Sequence, residues 1–505
     1  PPPPPPQPPV PRAAKARSAS EPDVPPAALP QQRLLAQLDQ ASRLEIGARI
    51  PRPAGSAESG GGDFDLSASI FASRRLVADS RSFYDAGTTD LALEIDWGRA
   101  NQERFRAAIA KMDDGGAETV HEEIGEVKAA LKAHSALVYS LFHYYCVTER
   151  YNSESCAMGL RGYKVMCTEC GVLDPASPYA KWADLNVIFE SVNDEELGSK
   201  KSKEQRIVDA INEDNSLTRF EFLQILVRLA MAKFVRPKIQ PDVSDALEML
   251  FALLSERAPV HALVNTDDFR RERLYKADMA IVLSSYEPAL RFLFNEYARD
   301  APGTTSKADG IKFVSQKQKT ASMNQKLERA KLLSSLMSQE EWLEFLEHAG
   351  LLIEGSRIIE RNLGEYTCTS SSEPVAHDGV TRDHAVLCFY QSQSFVIDEI
   401  KHRDRLLNLS FTDFLEALAR VGVNKCLPSS ETLKRAECGS AMDFFHAQRI
   451  GMFDLEARKG TPLVVSRPDP DAPLAPSLDV FLRYVLDTFV RVREDLEELP
   501  QCLPT

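Results

Sequence analysis

Residues 213–230 read EDNSLTRFEFLQILVRLA, with Asp209 and Asn212 just upstream. Carboxylate, amide and hydroxyl oxygens are concentrated here, ending in Glu221 at the head of an apolar, helix-spaced run. A hard divalent cation such as calcium takes about six to eight oxygens of these kinds. The same residue types also cap a helix and form the turn before it, satisfying backbone N–H groups with no metal at all. A second constellation is Cys167-x-x-Cys170, with His143, Cys146 and Cys156 upstream. Thiolate and imidazole at such spacing suit tetrahedral zinc. The alternative is that these cysteines are small buried hydrophobes. No phosphate-binding, dinucleotide-binding, H-E-x-x-H or G-x-S-x-G signature occurs, and His143, His348 and His402 are scattered, so no catalytic residue is assigned.

The elements that position these residues follow from an internal repeat. Ser135–Cys146 matches Glu287–Ala298, Gly162–Leu173 matches Glu341–Leu352, and Val187–Ser191 matches Leu387–Gln391. Glu221–Phe234 matches Asp413–Cys426, and Val243–Glu256 resembles Ser477–Val490. Apolar residues recur at three- and four-residue spacing in each, so the expected fold class is all-α. Two tandem units are expected, 118–259 and 267–498, the second lengthened by polar or Pro/Ser-rich insertions at 302–336, 366–384 and 427–476. Residues 1–80, rich in Pro, Ala, Gly and Ser, are expected to form a disordered arm, and 81–117 a linker with one short helix. In the repeat, Cys167 and Cys170 fall on Leu346 and Ala349, which favours their burial over zinc. The stripe Phe142, Tyr145, Phe189, Phe220 and Phe222 is read as core.

Each unit runs helix, loop, helix, linker, helix, loop, helix, and resembles the paired EF-hands of the calmodulin superfamily. The phrases carrying the resemblance are LFHYY and LFNEY at the ends of entering helices, and Leu217-x3-Glu221-Phe222 and Leu409-x3-Asp413-Phe414 at the starts of exiting ones. It implies that Leu217 and Leu409 bridge paired loops through a short β-contact, and that Glu221 and Asp413 stand at the twelfth loop position. On that count the second hand would hold calcium through Asp209, Asn212, Asp214, Thr218 and Glu221, with Asn215 at the tight turn. The first loop position, an aspartate in the family, is Cys146, Asn193, Ala298 and Gln393 in the four hands, which counts against occupied sites.

The resulting expectation is a non-enzymatic, calcium-independent interaction or scaffold protein that needs no cofactor. Its partner would be an amphipathic helix or an acidic cytoskeletal surface; the basic stretch 307–331 could meet the latter, the favoured alternative being a solvated linker into a helix at 325–336. The alternatives are a calcium sensor working through residues 209–221 and a helical enzyme with an unrecognised pocket. A formal net charge of −14 argues against nucleic acid, and no run of about 18 apolar residues predicts a membrane span. Nine cysteines, an odd number spread over 505 residues, favour a reducing, cytoplasmic location. A cilium, flagellum or cytoskeleton is the location implied by analogy with degenerate EF-hand proteins of protists. The chain opens on PPPPPPQPPV instead of methionine, as a fragment or processed product would, so targeting stays open.

Overall fold

The computed structural model describes residues 65–74, 86–112, 117–147, 157–193, 216–298, 336–353, 380–449, 465–466, 468–469 and 471–491. These are mainly helical, and strand among them is confined to two-residue pairs. The first half contains α1 (Ala86–Ala100), α2 (Glu103–Ala110), α3 (Ala117–Ala133), α4 (Ser135–Val147), α5 (Leu160–Glu169), α6 (Trp182–Asn193), α7 (Arg219–Ala230) and α8 (Val243–Arg257). Single turns at Val260–Ala262, Thr266–Phe269 and Arg270–Leu274 lead onward. The second half contains α9 (Ala277–Tyr297), α10 (Gln339–His348), α11 (Arg382–Ser392), α12 (Phe411–Asn424), α13 (Ser430–Ala436), α14 (Ala441–Arg449) and α15 (Ala475–Arg491). No helix among the described residues is long and apolar enough to cross a membrane.

The five matched segment pairs fall on α4 and α9, α5 and α10, α6 and α11, α7 and α12, and α8 and α15. The matches extend to the helix ends. Helices α5 and α10 are both followed by a glycine in the left-handed region, Gly171 at φ 67° and Gly350 at φ 64°. Glycine adopts that conformation without the steric penalty a side chain would bring, and so closes the helix. Antiparallel two-residue contacts pair Met158 with Leu217 and Met337 with Leu409. Leu217 and Leu409 therefore each take part in a short β-contact.

Helices α7 and α12 sit at the centre of the packing. Every residue of α7 except Arg228 is buried, as is every residue of α12 from Phe411 to Gly422. Helix α7 packs against α1, α4, α6 and α8, whereas α12 packs against α9, α11 and α15. Helices α8 and α15 thus each cover one face of α7 and α12 respectively. One hydrophobic cluster runs through both halves, and the expected aromatic stripe of Phe142, Tyr145, Phe189, Phe220 and Phe222 lies inside it.

Three stretches carry more structure than expected. Residues 65–74 lie within the stretch read as a disordered arm, yet Phe71 and Arg74 are buried against the second half. The stretch read as a linker holds α1 and α2, whose buried residues include Leu93, Trp97, Phe105 and Ile109. Its periodicity is masked because the buried face of α1 also carries a charge, Asp96. The insertion 427–476, read as a surface loop, folds into α13 and α14, and its Leu433, Ala436, Ala441 and Phe444 form a satellite core with Val480 of α15. The arm 1–64, most of the insertion 302–336 and most of 366–384 lie outside the described residues.

Helix α15 is held by Phe489, whose ring stacks on Phe345 at 5.5 Å and meets Tyr297 edge-on at 6.2 Å. Its side chain is fully buried. Replacing it by alanine removes the transfer free energy and leaves a cavity. The Phe489→Ala variant should lose about 3–5 kcal/mol of stability, read as a lower urea midpoint.

Candidate functional site

The end of α11 and the loop after it, Gln391 to His402, turn inward toward the junction of the two halves. A buried loop must find donors for its carbonyls. Here they come from guanidinium groups distant in sequence. Arg270 Nη2 donates to the Gln391 and Gln393 carbonyls at 3.0 and 2.7 Å. Arg74 Nη2 donates to the Ser392 carbonyl at 2.5 Å. Arg219 donates from Nη1 to the Val396 carbonyl at 2.9 Å and from Nη2 to the Ile397 carbonyl at 2.8 Å. Arginine suits the task because its planar fork offers several donors in fixed directions and keeps its charge when buried.

Each guanidinium is neutralised by buried carboxylates. Arg219 pairs with Asp96 at 2.5 Å, both almost without exposure, and lies over the rings of Tyr139 and Phe395 at 4.9 and 5.4 Å. Glu416 of α12, fully buried, meets Arg270 at 3.0 Å, Arg420 at 2.7 Å and also Arg74. One carboxylate therefore joins the segment 65–74, the connection between the halves and α12. Burial alone would raise the Glu416 carboxyl, but Arg270, Arg74 and Arg420 outweigh it and hold it down at about 2. Glu399, in the same loop, accepts the backbone N–H of Arg219 at 3.0 Å, at the start of α7. Burial pushes its carboxyl up to about 7, against the opposing charge of Arg219.

A cavity of about 40 Å³ lies within this junction, bordered by Phe142, His143, Arg219, Arg270, Ser394 and Glu399. It has room for about a single water near the buried Ser394 hydroxyl, far below the roughly 300 Å³ at which small-molecule pockets begin. His143 at its wall is held neutral, its pKa pushed down to about 4 by burial and by Arg219.

Of the residues expected to hold calcium, Asp209, Asn212 and Asp214 lie outside the described residues. Thr218 and Glu221 come together as a capping box at the start of α7. Glu221 Oε2 accepts from the Thr218 backbone N–H at 2.7 Å and from its hydroxyl at 2.8 Å, and the side chain is buried. This carboxylate oxygen is directed back onto its own helix. The arrangement recurs at Ser410 and Asp413, with Asp413 Oδ2 accepting at 2.9 and 2.7 Å, and at Ser338 and Glu341, at 2.7 and 3.0 Å. The third lies outside the motifs that carry the resemblance. Its signal, Met337-Ser338-x-x-Glu341, is the same capping pattern. In the first pair Gly162 stands at the corresponding position, where a Cβ would come within 2.4 Å of the Tyr145 carbonyl oxygen.

The cysteines behave as core. Cys167 and Cys170 are fully buried, and burial raises both thiols, that of Cys170 to about 11 and that of Cys167 further. Cys156 and the basic stretch 307–331 lie outside the described residues. Among the described residues, the metal-sized group of ligand atoms is Glu123, Glu126 and Asp242, within 4.8 Å of one another. Two of these carboxylates cap α8, since Glu123 accepts the Ser244 N–H at 2.6 Å and Asp242 the Asp245 N–H at 2.9 Å. Comparison with protein-family models, curated proteins and solved structures found no match for this chain.

Removing one member of a buried ion network leaves the others uncompensated. Glu416→Gln should therefore cost about 3–5 kcal/mol, measured by urea denaturation at neutral pH. The two carboxylates give opposite pH dependence. Glu399, raised in the fold from 4.5 to about 7, contributes stability that is fully present below pH 4.5 and lost as pH rises through about 7. Glu416, lowered to about 2, contributes stability present above pH 4.5 and lost as pH falls through about 2. Glu399→Gln should thus flatten the decline in melting temperature between pH 4.5 and 7, whereas an unchanged slope would assign that decline to other groups.

Proposed function

We propose that this chain is a non-enzymatic, calcium-independent scaffold built on two EF-hand-like pairs whose geometry is permanently set. The observation that carries this reading is the arginine-held loop after α11. In a calcium-binding loop the ion gathers oxygens and couples occupancy to helix angle. Here Arg74, Arg219 and Arg270 gather the loop's carbonyls, and their charges do not depend on calcium. The capping boxes add support, because the Glu221, Glu341 and Asp413 carboxylates each hold the start of their own helix.

A scaffold of this kind recognises its partner by a fixed outer surface. Opening a groove for an amphipathic helix would require α8 and α15 to leave the buried faces of α7 and α12. A partner helix would pay for that displacement before gaining any contact.

The deciding measurement is calorimetric titration of calcium into the full chain and into Glu221→Gln, a substitution that preserves a capping side chain. No heat of binding in the micromolar range is expected from either protein. Micromolar binding in the parent that disappears in the variant would replace this reading with a calcium sensor acting through Asp209, Asn212, Asp214, Thr218 and Glu221.

A further inference from the structure

Residues 65–74 contain one short 3-10 turn, Leu66–Ala68, and are helical at Arg74. Two side chains in the segment, Phe71 and Arg74, are buried, and they are three residues apart. Between them Ala72 is half-buried and Ser73 is exposed. Phe71 packs its ring on Tyr275 with centroids 4.8 Å apart. Arg74 donates to the Tyr275 hydroxyl at 3.0 Å, the Ser392 carbonyl at 2.5 Å and Asp413 Oδ1 at 3.0 Å, and pairs with Glu416. The Ser73 hydroxyl meets that of Thr412 at 2.6 Å. Each of these partners lies at least 201 residues further along the chain.

The receiving surface has its own supports. Glu416 keeps Arg270 and Arg420, and Asp413 keeps its bonds to Ser410 through the other carboxylate oxygen. Both acids are therefore positioned without help from Arg74. An aromatic wall, the buried Thr412 hydroxyl and two prearranged carboxylates form a complement to an aromatic side chain followed by a guanidinium. Two buried anchors flanking an outward-facing residue are how a short linear peptide docks, with a few residues carrying most of the affinity.

We propose that residues 65–74 act as an internal peptide ligand, and that the surface formed by Tyr275, the Ser392 carbonyl, Thr412, Asp413 and Glu416 is a recognition site for a segment with an aromatic residue three positions before an arginine. The chain occupies the site with its own segment. A peptide of the same pattern competes for it, which makes occupancy of the site dependent on release of the N-terminal segment. The pairing of Arg74 with Glu416 and Asp413 gives the site its demand for arginine, since a lysine ammonium lacks the fork that reaches both acids and the carbonyl together.

The test uses the full chain carrying Phe71→Ala and Arg74→Ala, with circular dichroism and a urea melt to establish that it folds. The probe is a fluorescent synthetic peptide spanning residues 65–76, followed by polarisation. Saturable binding to the double variant is expected, at least about ten-fold tighter than to the parent chain, whose own segment competes. A peptide in which the arginine or phenylalanine is replaced by alanine should bind at least about ten-fold more weakly. No saturable binding to the folded variant, or equal binding of the altered peptides, would overturn the proposal.

A second measurement needs no variant. Excess unlabelled 65–76 peptide, added to the parent chain, should accelerate hydrogen exchange at residues 69–74 several-fold, because the competing peptide captures the site each time the segment opens. Unchanged exchange at saturating peptide would overturn the proposal. A concentration-dependent dimer that disappears in the double variant would overturn the assignment in cis and give the site to the same segment of a second copy.

Discussion

A short loop turned into the interior cannot leave its carbonyl oxygens without donors, and this constraint organises the junction of the molecule. The carbonyls of Gln391, Ser392, Gln393, Val396 and Ile397 point away from any sheet or continuing helix, and guanidinium groups meet them. Three charges brought into the interior demand countercharges in turn. Asp96 supplies one from α1, and Asp413 and Glu416 supply the others from α12. The loop, the segment 65–74, the connection through Arg270 and the start of α7 are thereby tied to one another.

Such a network is not principally a source of stability. Desolvating several ions costs free energy that their mutual attraction only partly returns. Its effect is on geometry, because a guanidinium fork bonded to two carbonyls and a carboxylate tolerates few arrangements. The apolar packing of α7 and α12 supplies the burial, and the arginines determine how the loop between α11 and α12 is threaded through it. A metal ion does the equivalent work in a binding loop, with the difference that an ion can leave.

The coverage of α7 and α12 by α8 and α15 bears on how the protein meets other molecules. Helix pairs that respond to calcium keep a groove whose apolar floor is uncovered on opening. In this chain the faces of α7 and α12 belong to the core, with Phe481, Leu482, Val485 and Phe489 of α15 buried within it. The covered helix faces and the arginine-held loop both belong to the packed interior.

Much of the helical layout was readable in residue order. The five repeated segments, the closing glycines Gly171 and Gly350, the bridging Leu217 and Leu409, and the caps at Thr218 and Ser410 are local patterns set by backbone sterics and neighbouring donors, so a short window contains their cause. Helices α1 and α2 are less legible, because Asp96 interrupts the apolar face of α1 and is buried against Arg219, 123 residues away, and the Tyr139 hydroxyl. The same holds for Arg74, Arg270 and Glu416, which in sequence look like ordinary solvated charges. Whether a charge is solvated or buried depends on which distant group neutralises it, and the tertiary fold alone chose those partners. The pattern of residues established helices and their ends, and the chain's return upon itself decided which carbonyls and carboxylates the arginines would meet.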